Sequence, residues 1–227
     1  MVIKKVTPSP TPKILLLAMP QEIELKLAVP DDALAPLAAW LDANGAPQGE
    51  ATLLNVYLDT PERDLAQARA ALRLRRKGEQ WLQTLKTAGS SQGGLATRHE
   101  WESEIAGEAV DLQRFPAEAQ AVLAPLIGRL APVFRTDFVR RTWLVTQDGA
   151  RIEAALDTGT ITAPAATAQE PIQELELEWL DSDAAHAADA LRAFAARLTT
   201  IAALAPSDLS KAARGYRLAG IAEGKAS

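Results

Sequence analysis

The sequence predicts an α+β fold: strands that close into a β-barrel with charged side chains inside, and amphipathic helices packed on the outside. Seven segments alternate charged and apolar residues with the period of two that gives a strand two different faces. Their charged phases concentrate Glu, Arg and Lys in blocks, where a solvent-facing sheet would be diluted with Ser, Thr, Gln and Asn. Segments of helical character lie between them, so the apolar phases have helices to cover them rather than a second sheet.

In chain order, residues 1–18 read as a disordered leader. Lys4 and Lys5 precede a Pro-rich stretch and the apolar run Ile14 to Met19, which is too short to span a bilayer, and Met19 is a candidate start. Gln21 to Leu27 is the first strand, with Glu22, Glu24 and Lys26 on one face and Ile23, Leu25 and Leu27 on the other. Asp31 to Asn44 is expected to be helical, opened by acidic residues, restricted by Pro36 and stopped at Gly45. Ala71 to Lys77 sets Arg73, Arg75 and Lys77 against Leu72 and Leu74, and Trp81 to Thr87 keeps Leu82, Thr84 and Lys86 in one phase. Thr87 to Gly94 is a loop by composition. Thr97 to Ile105 alternates Arg98, Glu100, Glu102 and Glu104 with Trp101 and Ile105.

Phe115 to Leu130 reads as two short helices broken at Pro125. The strands end with Phe134 to Thr146, Arg151 to Leu156 and Ile172 to Trp179, the last carrying Glu174, Glu176 and Glu178 opposite Leu175, Leu177 and Trp179. Gly159 to Glu170 reads as a loop. Asp183 to Thr199, capped by Ser182, is the strongest helix, with an apolar stripe of Leu191, Phe194, Ala195 and Leu198. A last helix after Ser207 puts Lys211 and Arg214 on one side, where a helix C-terminus is one reason to carry cations. Tyr57 and Trp143 read as packing residues, and Trp81 and Trp101 as cover outside the barrel. One domain, residues 19–220, and a tail, 221–227, account for the chain.

Composition narrows the chemistry. A net charge of -5, from 24 basic and 29 acidic residues, is the wrong balance for a general nucleic-acid binder. There is no cysteine, which removes thiolate nucleophiles and cysteine zinc sites, and the two histidines, His99 and His186, lack ligand spacing. Enclosed Arg and Lys repel one another unless they hold a polyanion, and enclosed carboxylates need cations. Together they describe a site for a metal-complexed polyphosphate.

Glu22 to Lys26 spell an ExExK motif. It is followed in order by NVYLDTPERDL (Asn55 to Leu65), ALRLRR (Ala71 to Arg76), QTLKT (Gln83 to Thr87), GGLATRHEWE (Gly93 to Glu102) and FRTDFVRRTW (Phe134 to Trp143). IEAALDTG (Ile152 to Gly159), PIQELELEW (Pro171 to Trp179) and SKAARGYRLA (Ser210 to Ala219) complete the series. From about Met19 to Ala219 the chain resembles the CYTH superfamily of triphosphate tunnel metalloenzymes, and within it the bacterial inorganic triphosphatases. The resemblance implies an eight-stranded antiparallel barrel forming a tunnel. It implies phosphate binding by Lys26, Arg73, Arg75, Lys86, Arg98, Arg140, Lys211 and Arg214, with Arg140 preferred to Arg141 on register. It implies Mg²⁺ or Mn²⁺ held by ligands drawn from Glu22, Glu24, Glu153, Asp157, Glu174 and Glu176, with Lys26, Glu174 and Glu176 as the catalytic set. Glu100, Glu102 and Glu178 are expected to balance neighbouring arginines.

The activity so implied is hydrolysis of inorganic triphosphate to pyrophosphate and phosphate. Thiamine triphosphatase and adenylate cyclase are the alternatives within the superfamily. A non-catalytic polyphosphate-binding module is the alternative of a different class, and it would dispense with the carboxylates that ExExK and ELELE retain here. The expected partner is a small inorganic or organic triphosphate, with no nucleic acid and no membrane, in the cytoplasm. The helical, histidine-rich CHAD domain that follows the barrel in many members is expected to be absent, leaving a stand-alone member or an excised domain.

Overall fold

The computed structural model describes residues 21–164, 166–181 and 184–220. The readings of a leader at 1–18, a start at Met19, a cap at Ser182, a helix start at Asp183 and a tail at 221–227 fall outside the described residues. The elements are β1 (Gln21–Ala28), α1 (Asp31–Asn44), β2 (Ala46–Asp59), α2 (Asp64–Gln67), β3 (Ala71–Lys77), β4 (Gln80–Lys86), β5 (Ser90–Gln92) and β6 (Leu95–Ile105). They continue with α3 (Ala117–Leu123), β7 (Ala131–Gln147), β8 (Ala150–Thr162), β9 (Glu170–Trp179), α4 (Ala187–Thr199), β10 (Ala205–Pro206) and α5 (Lys211–Leu218). Eight strands run β1-β9-β8-β7-β2-β3-β4-β6, all neighbours antiparallel, and β6 returns to β1 to close the barrel. The short β5 and β10 lie on β6 and β1.

The closed sheet solves the burial of two unlike faces. The outward residues of β1, β8 and β9, such as Leu25, Ile152 and Leu177, pack with Trp143 under Leu37 and Leu41 of α1 and Leu191, Phe194 and Leu198 of α4. Burying each such side chain contributes about 1.5–3 kcal/mol. Across the barrel, Leu72, Leu74, Leu85 and Trp101 pack under Leu65, Phe115, Ala119 and Leu123, and Trp81 lies against the same cluster. A third apolar cluster, including Leu53, Tyr57, Phe134, Phe138, Ile161, Ile172 and Tyr216, occupies part of the bore itself. Helix α5 docks there through Gly215, whose missing Cβ leaves room for the Phe134 ring.

Several boundaries differ from the sequence reading. The strand β2 was not anticipated: its first half is exposed, its second half is buried on both faces, and register breaks at Pro47/Gly49 and Tyr57/Leu58 spoil the period of two. Strand β8 continues to Thr162, so Gly159 to Thr162, expected as the start of a loop, belong to the sheet. Gly159 is required there by close approach, since a Cβ would run into Asp137 O and Phe138 of β7. The loop at 87–94 contains β5, and α4 begins at Ala187 after a 3-10 turn at Ala184–His186. Lys211 is the first residue of α5, the end where the helix dipole repels a cation, so a helix C-terminus does not explain it.

Candidate active site

Cross-strand register builds the site row by row. Over β1, β9 and β8 the inward rows are Glu24–Glu178–Glu153, Lys26–Glu176–Ala155 and Ala28–Glu174–Asp157. Asp157 then faces Arg140 on β7. On the opposite wall Arg73 faces Thr84 and then Glu102, Ala71 faces Lys86 and then Glu100, and Arg98 faces Glu22 at the closing seam. These walls enclose a cavity of about 880 Å³.

One part of the cavity is balanced. Lys211 Nζ lies 2.7 Å from Asp157 and 3.0 Å from Glu176 and also donates to Glu174. Arg140 grips Asp157 through two bonds of 2.7 Å and also donates to Glu176. Burial opposes charge here, yet the carboxylates outweigh it and hold Lys211 and Arg140 above their usual ranges. For Glu176, burial is likewise outweighed by Lys211, Arg140 and Lys26, which hold its carboxyl well below the usual carboxylate range. Carboxylate oxygens of Asp157, Glu174 and Glu176 come within 4.8 Å of one another, a spacing suited to a metal ion, although Lys211 already lies among them.

Another part is unbalanced. Burial, then Glu22 and Glu153, push the Glu178 carboxyl up to about 7. No ion pair engages Glu178 among the described residues, so the expectation that it balances an arginine fails: Glu22 and Glu153 act on it more strongly than Lys86 does. Glu100 and Glu102 do pair, with Lys86 at 2.5 Å and Arg73 at 3.4 Å. Arg75 is the converse of Glu178. It is only 8% exposed, and its Nε donates to Asn55 Oδ1 at 2.7 Å. Burial, then Arg73 and Arg140, draw its pKa down to about 9. Lys26 is also buried and loosely paired, 3.9 Å from Glu24 and 3.8 Å from Glu176.

A family model described as the CYTH domain matches residues 20–216. The chain belongs to the CYTH family. The inorganic triphosphatase of Haemophilus influenzae is 33% identical over 206 residues, covering 88% of this chain and 55% of that protein, so the chain spans about half the length of that relative. Among solved structures, a putative adenylyl cyclase from Hippeastrum, titled as revealing a dominant triphosphatase activity, is 19% identical with a TM-score of 0.63, covering 88% of this chain and 97% of that one. A protein of Pyrococcus horikoshii OT3 is 18% identical with a TM-score of 0.58, covering 85% and 97%. These structural likenesses show the CYTH barrel.

On this CYTH barrel the cavity wall carries Glu22, Glu24, Lys26, Arg73, Arg75, Lys86, Arg98, Arg140, Glu153, Glu176 and Lys211. Asp157 and Glu174 lie beneath Lys211, 0% and 3% exposed. Arg214 is off the wall, pairing with Glu170 at 2.6 Å and Glu174 at 3.2 Å. Arg141 is outside the barrel, 3.1 Å from Asp42 and over the Trp143 ring. Two groups at the site were not singled out. Arg69 is on the cavity wall but in the turn before β3, where alternation gives no signal. Phe138 is the other: its ring centroid lies 4.8 Å from Lys211 Nζ and 5.7 and 5.8 Å from the guanidinium carbons of Arg140 and Arg75, contacts that need the closed barrel.

No helix among the described residues is long and apolar enough to cross a membrane.

Proposed function

We propose that this CYTH protein hydrolyses inorganic triphosphate to pyrophosphate and phosphate with a divalent metal, Mg²⁺ or Mn²⁺. The observation that carries this reading is one cavity holding both a carboxyl without an ion pair, Glu178 beside Glu22 and Glu153, and a buried guanidinium without one, Arg75, among the described residues. A metal-bound triphosphate supplies both missing charges.

The donors fit such a metal: Glu153 and Glu178 offer hard oxygens, Glu22 and Glu24 would offer theirs in exchange for their bonds to Arg98 and Lys86, and the raised pKa of Glu178 marks a deficit of positive charge around it. When bound, the metal supplies Lewis-acid charge to phosphate oxygens. Arg73 and Arg75 present guanidinium donors to non-bridging oxygens, Arg140 adds positive charge from its place on Asp157 and Glu176, and Lys26 and Lys86 act as point charges that offset the leaving pyrophosphate. Glu176 stays ionised, so it serves as an acceptor that orients the attacking water rather than as a store for its proton. Glu174, under Lys211, holds that ammonium in place.

The relative named inorganic triphosphatase and the triphosphatase activity described for the Hippeastrum protein support the same reaction class. Aromatic side chains reach the interior, where they engage one another. Tyr57 stacks on Phe134 at 4.5 Å, and Tyr216 is set edge-on to Phe134 while its hydroxyl donates to Asp59 at 2.9 Å. That arrangement favours a bare triphosphate over thiamine triphosphate or ATP. Phosphate release from the three compounds with Mg²⁺, Mn²⁺ or EDTA tests it. Release from triphosphate, absent in EDTA, is expected. Pyrophosphate release from ATP would transfer the assignment to a cyclase, and binding without turnover to a polyphosphate-binding module.

A further inference from the structure

We infer that Arg69 forms a fourth phosphate subsite at the cavity mouth, so that the preferred substrate is a linear polyphosphate longer than triphosphate. The inference builds on the hydrolase reading and extends it outward from the bore.

Arg69 has a backbone φ of 55°, in the left-handed region that suits glycine and costs other residues about 1–2 kcal/mol. The corner enforces it. The Asp59 carboxylate accepts from the backbone N–H of Leu65 at 3.0 Å and of Ala66 at 3.1 Å, while Arg69 N–H bonds to Ala66 O and Ala70 N–H to Leu65 O. A glycine would satisfy this turn without strain; the chain instead sets a cation there. The side chain lines the cavity and reaches across the mouth to donate to Gly89 O at 3.3 Å. No ion pair engages Arg69 among the described residues. The bond to an exposed carbonyl is cheap to exchange for one to an anion.

Position supplies the rest. Residues 71, 73 and 75 share one phase of β3, which advances about 13 Å from Ala71 to Arg75, and Arg69 lines the same cavity from the turn just before the strand. Arg75 and Arg73, with Lys86 opposite Ala71, span the depth a triphosphate occupies, and Arg69 lies one step further out. The nearby acid at the mouth, Asp208, is already engaged by Ser91 Oγ at 2.7 Å and the N–H groups of Gly93 and Gly94 at 3.2 and 2.9 Å, which blunts its repulsion of an incoming chain.

The test compares linear tripolyphosphate with linear tetrapolyphosphate on the full chain and on Arg69→Gly and Arg69→Lys. It measures KM and kcat with Mg²⁺ and, by calorimetry, Kd with Ca²⁺ in its place. Arg69→Gly keeps the turn and is expected to weaken tetraphosphate about tenfold, the loss of one charge-assisted hydrogen bond, and triphosphate less than about twofold. Arg69→Lys should retain most of the preference. Equal weakening of both anions, or of neither, overturns the subsite. Absence of turnover of either anion by the unaltered chain, with the calorimetric preference intact, overturns the hydrolase reading and leaves the subsite standing.

Discussion

Glu176 and Glu178 sit two residues apart on β9 and face the same bore, yet they live in opposite electrostatic worlds. Glu176 is clasped by Lys211, Arg140 and Lys26 and stays ionised far below the usual range. Glu178 faces Glu22 and Glu153, and its carboxyl rises to about 7. The difference follows from what each row meets around the ring: Glu176 lies beside Lys26 and under Lys211 of α5, whereas the row of Glu178 is acid on both sides, Glu24 and Glu153. The barrel thus balances the charges nearest α5, where they brace the fold. Along the row of Glu178, Arg98 holds Glu24 but Glu178 keeps no ion pair among the described residues, an imbalance that raises the energy of the ligand-free protein. A fold selected for stability alone has no use for that imbalance; a site that awaits a cation does.

The sharpest break in this contrast comes from removing one charge on each side. Lys211→Ala strands Asp157, Glu174 and Glu176 around a void, and is expected to cost about 3–5 kcal/mol in urea unfolding. Glu178→Gln is expected to leave stability unchanged or slightly higher, while abolishing the rise in Tm expected of the unaltered protein on adding Mg²⁺ or Mn²⁺. Equal damage from both substitutions would erase the distinction.

Next in size is the pH response. The folded Glu178 carboxyl, at about 7 against an ordinary 4.5, keeps a proton that the unfolded chain has already lost between those values. The folded state therefore binds more protons in that window, and metal-free stability falls as pH rises through it, by at most about 3 kcal/mol. Glu176, depressed below 4.5, contributes the opposite slope: its stabilisation is complete above the ordinary value and is lost as pH falls toward the folded one. Urea midpoints in EDTA from pH 4.5 to 8 should show the decline, and Glu178→Gln should flatten it. A midpoint that climbs across this range would contradict the unpaired state of Glu178.

Alternation alone located most of the barrel, because a closed sheet with a charged bore repeats the same two-residue code on β1, β3, β4, β6, β8 and β9. It failed where the bore is not charged. Strand β2 turns Leu53, Asn55 and Tyr57 inward against Phe134 and Phe138, so both faces of its second half are buried and the code disappears. Gly159 looked like a turn residue for a reason that the neighbouring strand explains, the close approach of β7. At the site, the ExExK and ELELE phases name which carboxylates point inward, but pairing depends on α5. Only docking through Gly215 decides that Glu174 lies under Lys211 and that Arg214 turns away toward Glu170.

The smallest effect concerns the neutral group between the two charge regimes. Phe138 is 3% exposed, and its ring lies within 6 Å of one balanced arginine, Arg140, of Lys211, and of the carboxylate-free Arg75. A ring face attracts each cation by about 0.5–2 kcal/mol without the desolvation that a buried carboxylate would add, so it can hold Arg75 while leaving its hydrogen-bonding positions open to phosphate. Phe138→Leu keeps an apolar floor and removes the quadrupole. On the proposed reading Arg75 would meet bound substrate and transition state alike, so KM for triphosphate should rise roughly three- to tenfold with kcat within about twofold, and Phe138→Tyr should stay near the unaltered protein. A fall in kcat at constant KM would instead place the ring in the chemical step, and the division between a bracing half and a ligand-seeking half of the bore would no longer hold at Arg75.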